Sequence, residues 1–122
     1  MGIKDELTAK IIGCCFKVHK ELGAGFNEKI YHNALKMQIE IEGLHFVTEK
    51  EFEVLYIGKI VGKFRADLIV EDKTIIEIKS LAGNIPKIFE SQLISYLKAS
   101  KIKVGLLVNF GNIRCQIKRL VV

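Results

Sequence analysis

Cysteine is scarce in this sequence, and the few cysteines do not have the spacing of a disulfide framework or a zinc site. Only three of the 122 residues are cysteines, namely Cys14, Cys15 and Cys115. An odd number without ligand-type spacing favours reduced, partly buried thiols. The cysteine content therefore predicts a cytoplasmic protein.

Long apolar runs and several catalytic motifs are also absent. No stretch approaches the roughly 20 apolar residues of a membrane span. Asp5 and Glu6 stand where a secretory signal would be basic. We therefore expect no membrane insertion and no secretion. The absence of a G-x-S-x-G element, a glycine-rich phosphate loop and a dinucleotide fingerprint argues against serine hydrolases and nucleotide-driven enzymes.

Length and charge indicate one small basic domain, which we expect to cover residues 1–122. The chain is long enough for one core and short for two. A net charge of +5 suits a polyanionic partner such as nucleic acid. The candidates for phosphate contacts are the residues of the densest basic region, and the alternative is that they are solvated lysines and arginines without a ligand. They are Lys98, Lys101, Lys103, Arg114, Lys118 and Arg119.

The first part of the chain predicts two amphipathic helices. Apolar residues recur at helical spacing from Leu7 to Leu22, and Gly23-Ala24-Gly25 ends this run. Asn27 is a good N-cap for a second helix, which ends at Gly43. We expect the second helix to bury one apolar face, formed by Ile30, Ala34, Met37 and Ile41.

The remainder predicts five strands and a third helix. Residues 46–57, 60–70 and 74–80 form an antiparallel meander, with a turn at Gly58-Lys59. A helix begins near Asn84 and Pro86, extends to about residue 99 and leads to an apolar strand over residues 104–110. A strand–helix–strand unit makes this fourth strand parallel to the third. A fifth, antiparallel strand over residues 114–121 completes a mixed sheet with helices on both faces.

The hairpin formed by the second and third strands carries the most informative polar residues. Because strand side chains alternate between faces, we expect Asp67 to lie on the polar face of its strand with Lys63 and Arg65. In the next strand Glu77 and Lys79 take the polar side. The opposite, apolar face of the first of these two strands is expected to contain Ile60, Phe64, Ala66, Leu68 and Val70.

The register of this hairpin decides whether the two acids meet. A three- or five-residue loop centred on Asp72 pairs Val70 with Thr74 and sets Asp67 opposite Glu77, with β-carbons about 5 Å apart. An even loop would place the acids on opposite faces. Two facing carboxylates suit Mg²⁺ or Mn²⁺ between them. On spacing alone, a solvated and charge-paired sheet face explains the same residues equally well.

The motifs also carry a resemblance. Asp67 followed by Glu77-Ile78-Lys79 resembles the signature of the PD-(D/E)XK nuclease superfamily, with Ala66 where the superfamily has proline. The segment Gly25 to Tyr31 spells G-x-x-E-x-x-Y and resembles the GxxExxY protein family. Gln92 to Tyr96 resembles the Q-x-x-x-Y helix of RecB-type nucleases. The similar region extends from about residue 22 to residue 119.

The resemblance implies a restriction-endonuclease-like α/β/α fold and a role for each matched residue. Asp67, Glu77, the Ile78 carbonyl and Glu28 would hold Mg²⁺ or Mn²⁺, and Lys79 would stabilise the phosphate. Gln92, Tyr96 and Tyr31 would support the site. Each also has a structural interpretation: stabilisation of the helix start for Glu28, the polar edge of a helix for Gln92 and Tyr96, and packing for Tyr31.

The expected function is therefore a divalent-metal-dependent deoxyribonuclease that hydrolyses phosphodiester bonds in DNA. One alternative is a structure-selective endonuclease resembling junction resolvases, which work as homodimers. The other alternative is a non-catalytic module on the same fold that binds nucleic acid or protein.

Overall fold

The computed structural model describes residues 5–122, which form three helices and five strands. The helices are α1 (Glu6–Leu22), α2 (Glu28–Ile41) and α3 (Lys87–Ser100). The strands are β1 (Phe46–Tyr56), β2 (Lys59–Val70), β3 (Thr74–Lys79), β4 (Val104–Asn109) and β5 (Gln116–Val121). The predicted elements are therefore confirmed, with boundaries shifted by one to three residues.

The strands form one mixed sheet in the order β1-β2-β3-β4-β5. Neighbouring strands are antiparallel except β3 and β4, which are parallel and connected through α3. This is the predicted order and direction of every strand. The turn between β1 and β2 lies at Ile57-Gly58, one residue before the predicted position, because Tyr56 pairs with Lys59.

Two hydrophobic clusters cover the two faces of the sheet. The larger cluster packs α1 and α2 against one face and contains the buried residues Leu68, Ile76 and Val108. The smaller cluster packs α3 against the other face, around Leu93 and Leu107. The protein therefore has the three-layer α/β/α arrangement of a restriction-endonuclease-like fold.

Helix α2 buries a different face from the predicted one. Its buried residues are Tyr31, Leu35 and Ile39, whereas Met37 is 66% exposed and Ile41 is 72% exposed. The helix carries two apolar stripes about 100° apart, and packing against α1 and the sheet selects the stripe that includes the large Tyr31 ring. The predicted buried face was therefore wrong.

Strand β2 also changes the face that it buries. Leu68 and Val70 contact the cluster under α1 and α2, whereas Ala66 contacts the cluster under α3. The predicted single apolar face for β2 was therefore wrong. The change occurs at Asp67, opposite Glu49 of β1, which has a φ of 53°. A residue in this left-handed conformation interrupts the regular alternation of the pleat.

The register of the β2–β3 hairpin is the predicted one. Val70 pairs with Thr74 and Leu68 with Ile76 across a three-residue loop. In this loop Glu71 and Asp72 both have positive φ angles, which lets a short connection reverse the chain. The ladder ends at Leu68 and Ile76, so Asp67 and Glu77 are the next residues along the two strands.

Candidate active site

Asp67 and Glu77 bind each other's backbone where the β2–β3 ladder ends. The Glu77 carboxylate (Oε2) accepts a hydrogen bond of 2.9 Å from the backbone N–H of Asp67. The Asp67 carboxylate (Oδ2) accepts one of 2.9 Å from the backbone N–H of Ile78. Each acid therefore substitutes for a ladder bond, and the two carboxylates are held together by the main chain.

This arrangement makes ionisation of both acids unfavourable. Burial raises the pKa of Glu77 to about 8, and the neighbouring Asp67 carboxylate adds to this increase. Burial also raises the pKa of Asp67, although the Ile78 N–H, His32 and Lys79 oppose it. A buried and a half-buried acid that both resist ionisation, as Glu77 and Asp67 do, are common at functional sites. A cation between them would favour the ionised form of both acids and so lower both pKa values.

The donor set suits a hard divalent cation. Each carboxylate uses one oxygen for a backbone hydrogen bond, and among the described residues Asp67 Oδ1 and Glu77 Oε1 accept none. Since no buried side-chain oxygen in that part of the chain lacks a partner, both free oxygens are reached by solvent. Carboxylate oxygens of this kind are the ligands that Mg²⁺ and Mn²⁺ prefer.

No third protein carboxylate or imidazole completes this pair. Within residues 5–122 no group of three His, Cys, Asp or Glu side chains is close enough to hold a metal ion. Mg²⁺ commonly binds through one or two carboxylates and keeps several waters. A two-carboxylate site with water or substrate ligands therefore fits the residues better than a closed cage.

Lys79 lies close to both acids without pairing with either. Its charge opposes the pKa increases of Asp67 and Glu77. The ammonium instead rests over the ring of Phe89 from α3, 4.1 Å from the ring centroid. Cation–π contact keeps the charge in place while leaving the carboxylates unpaired. Lys79 is thus held beside the acids on the α3 side of the sheet.

The end of β3 that carries Lys79 is fixed from β4. The buried Asn109 pairs with Lys79 across the parallel strands, and its amide exchanges hydrogen bonds of 2.9 and 3.0 Å with the backbone of Leu81. Gly111 approaches the same segment so closely that a β-carbon there would lie 2.3 Å from the Leu81 nitrogen. These contacts set the direction of the chain directly after Lys79.

Glu28 of α2 shares a cleft with Asp67 but not with Glu77 or Lys79. Asn27 caps this helix by accepting a hydrogen bond of 3.2 Å from Ile30 N–H, so Glu28 occupies the first turn. Glu28 and Asp67 line one cleft of about 450 Å³ between α2 and the sheet. The structure brings the two acids to a common cavity but shows no direct contact between them.

The same cleft is lined by basic side chains that were not among the predicted site residues. Lys29, His32 and Lys36 of α2 line it together with Asn33. His32 Nε2 lies 3.1 Å from the carbonyl oxygen of Asp67. Helical spacing could have identified these residues from the sequence, because positions 29, 32, 33 and 36 lie on the face of α2 that carries Glu28.

Gln92 and Tyr96 approach from α3. Burial and the nearby carboxylates of Glu77 and Asp67 raise the pKa of the Tyr96 hydroxyl, which places Tyr96 beside the acids. Its ring stacks on Phe64 of β2 at a centroid distance of 4.1 Å. Gln92 is half-buried one turn earlier and makes no hydrogen bond with the described residues.

Tyr31 has a packing role. Its ring is fully buried and stacks on Phe110 at 4.6 Å. Its hydroxyl donates to the carbonyl of Gly23 and accepts from the N–H of Phe26. Tyr31 therefore ties down the loop before Glu28, and the structure does not bring it to the carboxylates.

The six basic residues selected from the sequence do not form one surface. Lys101 and Lys103 precede β4 at the Thr74 end of β3, about 16 Å along the strand from Lys79. Lys118 contacts Glu90 at 3.9 Å and Arg119 contacts Asp5 at 3.5 Å. These two residues are consecutive in β5 and point to opposite faces. The remaining residues of the set are Lys98, in the last turn of α3, and Arg114, in the β4–β5 loop at the end of the sheet that carries the site.

The family can now be assigned. A model of the PD-(D/E)XK nuclease superfamily matches residues 5–120. The chain belongs to the PD-(D/E)XK nuclease superfamily. The paired acids and the lysine at one end of the mixed sheet agree with this assignment, which indicates a nuclease-like function. No curated protein matches the chain significantly.

A solved structure supports the fold of this superfamily member. The crystal structure of SSO0001 superposes with a TM-score of 0.61 at 28% sequence identity. The match covers 76% of this chain and 48% of SSO0001, so the chain spans about half the length of that protein. Within the described residues, the helices are too short or too polar to cross a membrane.

Proposed function

We propose that this nuclease-superfamily protein is a divalent-metal-dependent deoxyribonuclease of the GxxExxY type, related to RecB-type nucleases. The supporting observation is the reciprocal pair formed by the half-buried Asp67 and the buried Glu77, whose pKa values are both raised and whose free oxygens are reached by solvent. A single domain in the cytoplasm is part of the proposal.

In this proposal Asp67, Glu77 and the Ile78 carbonyl hold Mg²⁺ or Mn²⁺. The bound ion would supply Lewis-acid stabilisation of the phosphate and lower the pKa of water. Lys79 stabilises charge that develops on the phosphate oxygens. Glu28 faces the same cleft and orients a water molecule, and Tyr96 and Gln92 fix the position of the acids from α3.

The charges of the cleft explain why the reaction would need a cation. Glu28, Glu49 and Asp67 line the cleft with only two lysines, Lys29 and Lys36. A phosphodiester would be repelled by this excess of carboxylates. A bound divalent ion would offset this excess of negative charge, and Lys29 and Lys36 would then be free to contact phosphates of the substrate.

The test is cleavage of labelled linear, single-stranded and branched DNA and of RNA with Mg²⁺ or Mn²⁺. We expect Asp67→Asn and Lys79→Ala each to reduce the rate by at least 100-fold, the scale of losing one preorganised electrostatic group. Lys73→Ala, an exposed lysine of the β2–β3 loop at the opposite end of β3, serves as the matched lysine control and should cut like the parent. Equal cleavage by the parent and both site variants would contradict the enzyme proposal.

A non-catalytic nucleic-acid-binding module is the second candidate. The observation that favours it is the absence of a third ligating side chain beside the acid pair in residues 5–122. Calorimetric titration with Mn²⁺ separates the candidates, since Glu77→Gln should abolish metal binding by a nuclease. A junction-resolvase-like enzyme would in addition be a homodimer, which light scattering would detect.

A further inference from the structure

Strands β1 and β2 extend beyond the rest of the sheet as a two-stranded ribbon. Among the described residues, β3 pairs only with positions 68–70 of β2. The β1–β2 pairing continues from there to Tyr56 and Lys59. Residues 50–65 therefore form the ribbon, and its tip is the turn Ile57-Gly58.

The tip of the ribbon is apolar and exposed. Ile57 is 82% exposed, and its neighbours on both strands are also more than half exposed. These neighbours are Leu55 at 61%, Tyr56 at 67%, Ile60 at 54% and Val61 at 63%. An exposed cluster of large apolar side chains on a small protein indicates a binding surface.

Ile57 also has an unfavourable backbone conformation. It is the first central residue of a two-residue hairpin turn, with a φ of 50°. Asn, Asp and Gly prefer this position, and a β-branched residue with positive φ is a true outlier. Strain that displays a large apolar side chain to solvent contributes nothing to stability, which points to a function for that side chain.

The ribbon is anchored to the candidate active site by stacked rings. Phe52 stacks on Phe64 at 5.3 Å, and Phe64 stacks on Tyr96 at 4.1 Å. Tyr96 lies beside Glu77 and Asp67. Asp67 and Gly58 are nine positions apart, so the tip lies about 30 Å from the acids along the strand. This distance corresponds to about nine base pairs at 3.4 Å each.

The charge of the ribbon favours nucleic acid as the occupant. Residues 50–65 contain four cations and two acids, an excess of two positive charges. They are Lys50, Lys59, Lys63, Arg65, Glu51 and Glu53. Glu51 forms ion pairs with Lys63 at 3.6 Å and with Arg65 at 3.7 Å, so among the described residues Lys50 and Lys59 supply the positive charge of the ribbon that has no ion pair.

We propose that the ribbon tip is a wedge for double-stranded DNA, with Ile57 packing on the terminal base pair at a boundary between single- and double-stranded DNA. The ribbon cations would contact the flanking phosphates. Apolar side chains unstack base steps in this way in several DNA-binding proteins. The proposal rests on the proposed nuclease function and adds a preference for forked or branched substrates.

The test compares Ile57→Asn with the parent. Fluorescence anisotropy measures the affinity for a forked duplex and for a single-stranded oligonucleotide. Ca²⁺ replaces Mg²⁺ so that binding is measured without cleavage. Asn accepts a positive φ, so the variant should melt at the same temperature as the parent or higher. Ile41→Gln changes another exposed isoleucine, on α2, and serves as the control.

We expect Ile57→Asn to bind the fork about tenfold more weakly, equivalent to about 1.4 kcal/mol, and to bind the single strand within twofold of the parent. Ile41→Gln should match the parent on both. Unchanged fork binding by Ile57→Asn overturns the proposal, as does a change in oligomeric state caused by this substitution. A parent protein that binds no DNA at all would instead contradict the proposed function.

Discussion

The two halves of β2 differ in every physical respect although they form one continuous strand. Residues 68–70 are buried and pair with strands on both sides, with Leu68 and Val70 in the larger hydrophobic cluster and Ile69 in the smaller one. Residues 59–65 pair only with β1 and are largely exposed. Asp67 lies at the boundary, where the ladder to β3 ends. The comparison shows why the site is there: a strand that leaves the sheet frees backbone N–H groups, which hold the carboxylates.

The largest difference between the two halves should appear when a cavity is made in the buried half of β2. We expect Leu68→Ala to reduce the free energy of unfolding by about 4 kcal/mol, since its side chain is fully buried. Val61→Ala in the ribbon should change it by less than about 0.5 kcal/mol. Chemical denaturation measures both. Similar losses for the two variants would show that the ribbon belongs to the cooperative core.

A matched pair of glycines makes the same comparison for close packing. Gly111→Ala should lower the free energy of unfolding by about 3 kcal/mol, because the new β-carbon would meet Leu81 backbone atoms at 2.3 and 2.4 Å. Gly62→Ala, in the ribbon, meets nothing within 4 Å and should be close to neutral. A neutral Gly111→Ala would mean that the segment after Lys79 moves freely.

The boundary itself should show a pH-dependent stability. The folded pKa of Glu77, about 8, exceeds its ordinary value of 4.5, so the folded protein binds more protons between these values. The stability that protonated Glu77 contributes is therefore fully present below about pH 4.5 and is lost as the pH rises to 8. Glu77→Gln should remove most of this decrease and be more stable than the parent by roughly 4 kcal/mol at pH 8.

A pH series of denaturant midpoints checks this expectation. Glu51→Gln, an exposed acid of the ribbon, is the control and should follow the parent. A parent with flat stability from pH 5 to 8 would show that Glu77 ionises without penalty.

Divalent metal should offset the same loss at the boundary. A ligand that binds only the folded state raises stability by mass action. We therefore expect Mg²⁺ at 100 times its dissociation constant to raise the free energy of unfolding of the parent at pH 8 by about 2.7 kcal/mol. Glu77→Gln should gain much less. Thermal melts with and without Mg²⁺ measure the difference, and equal gains would place the metal elsewhere.

The boundary between the two halves was predictable in part. The polar residues Glu71-Asp72-Lys73 marked the loop but left an odd and an even connection open. The structure has the odd connection, which sets the register and brings Asp67 to Glu77. The change of buried face at Asp67 was not predictable, because it depends on the backbone of Glu49 in another strand. Local alternation carries no information on such an irregularity.

Residues of the cleft were harder to predict than the acids. Lys29 and Lys36 could not be singled out from the sequence because exposed lysines on a helix are common. Only the docking of α2 on the sheet places them in the cleft. The wrong choice between the two apolar stripes of α2 has the same origin. Helical periodicity identifies both stripes, but the packing of Tyr31 on Phe110 decides which one is buried.

The smallest effect concerns how firmly the ribbon is held. Phe64 lies between Phe52 and Tyr96, so Phe64→Leu should cost about 1 kcal/mol, the value of lost aromatic pairing. Its larger consequence should be local, since the ribbon has few other contacts. Hydrogen exchange should become faster at residues 50–65 and stay unchanged at 68–70. Uniformly faster exchange would mean that Phe64 supports the whole fold, and the two halves of β2 would then be one unit.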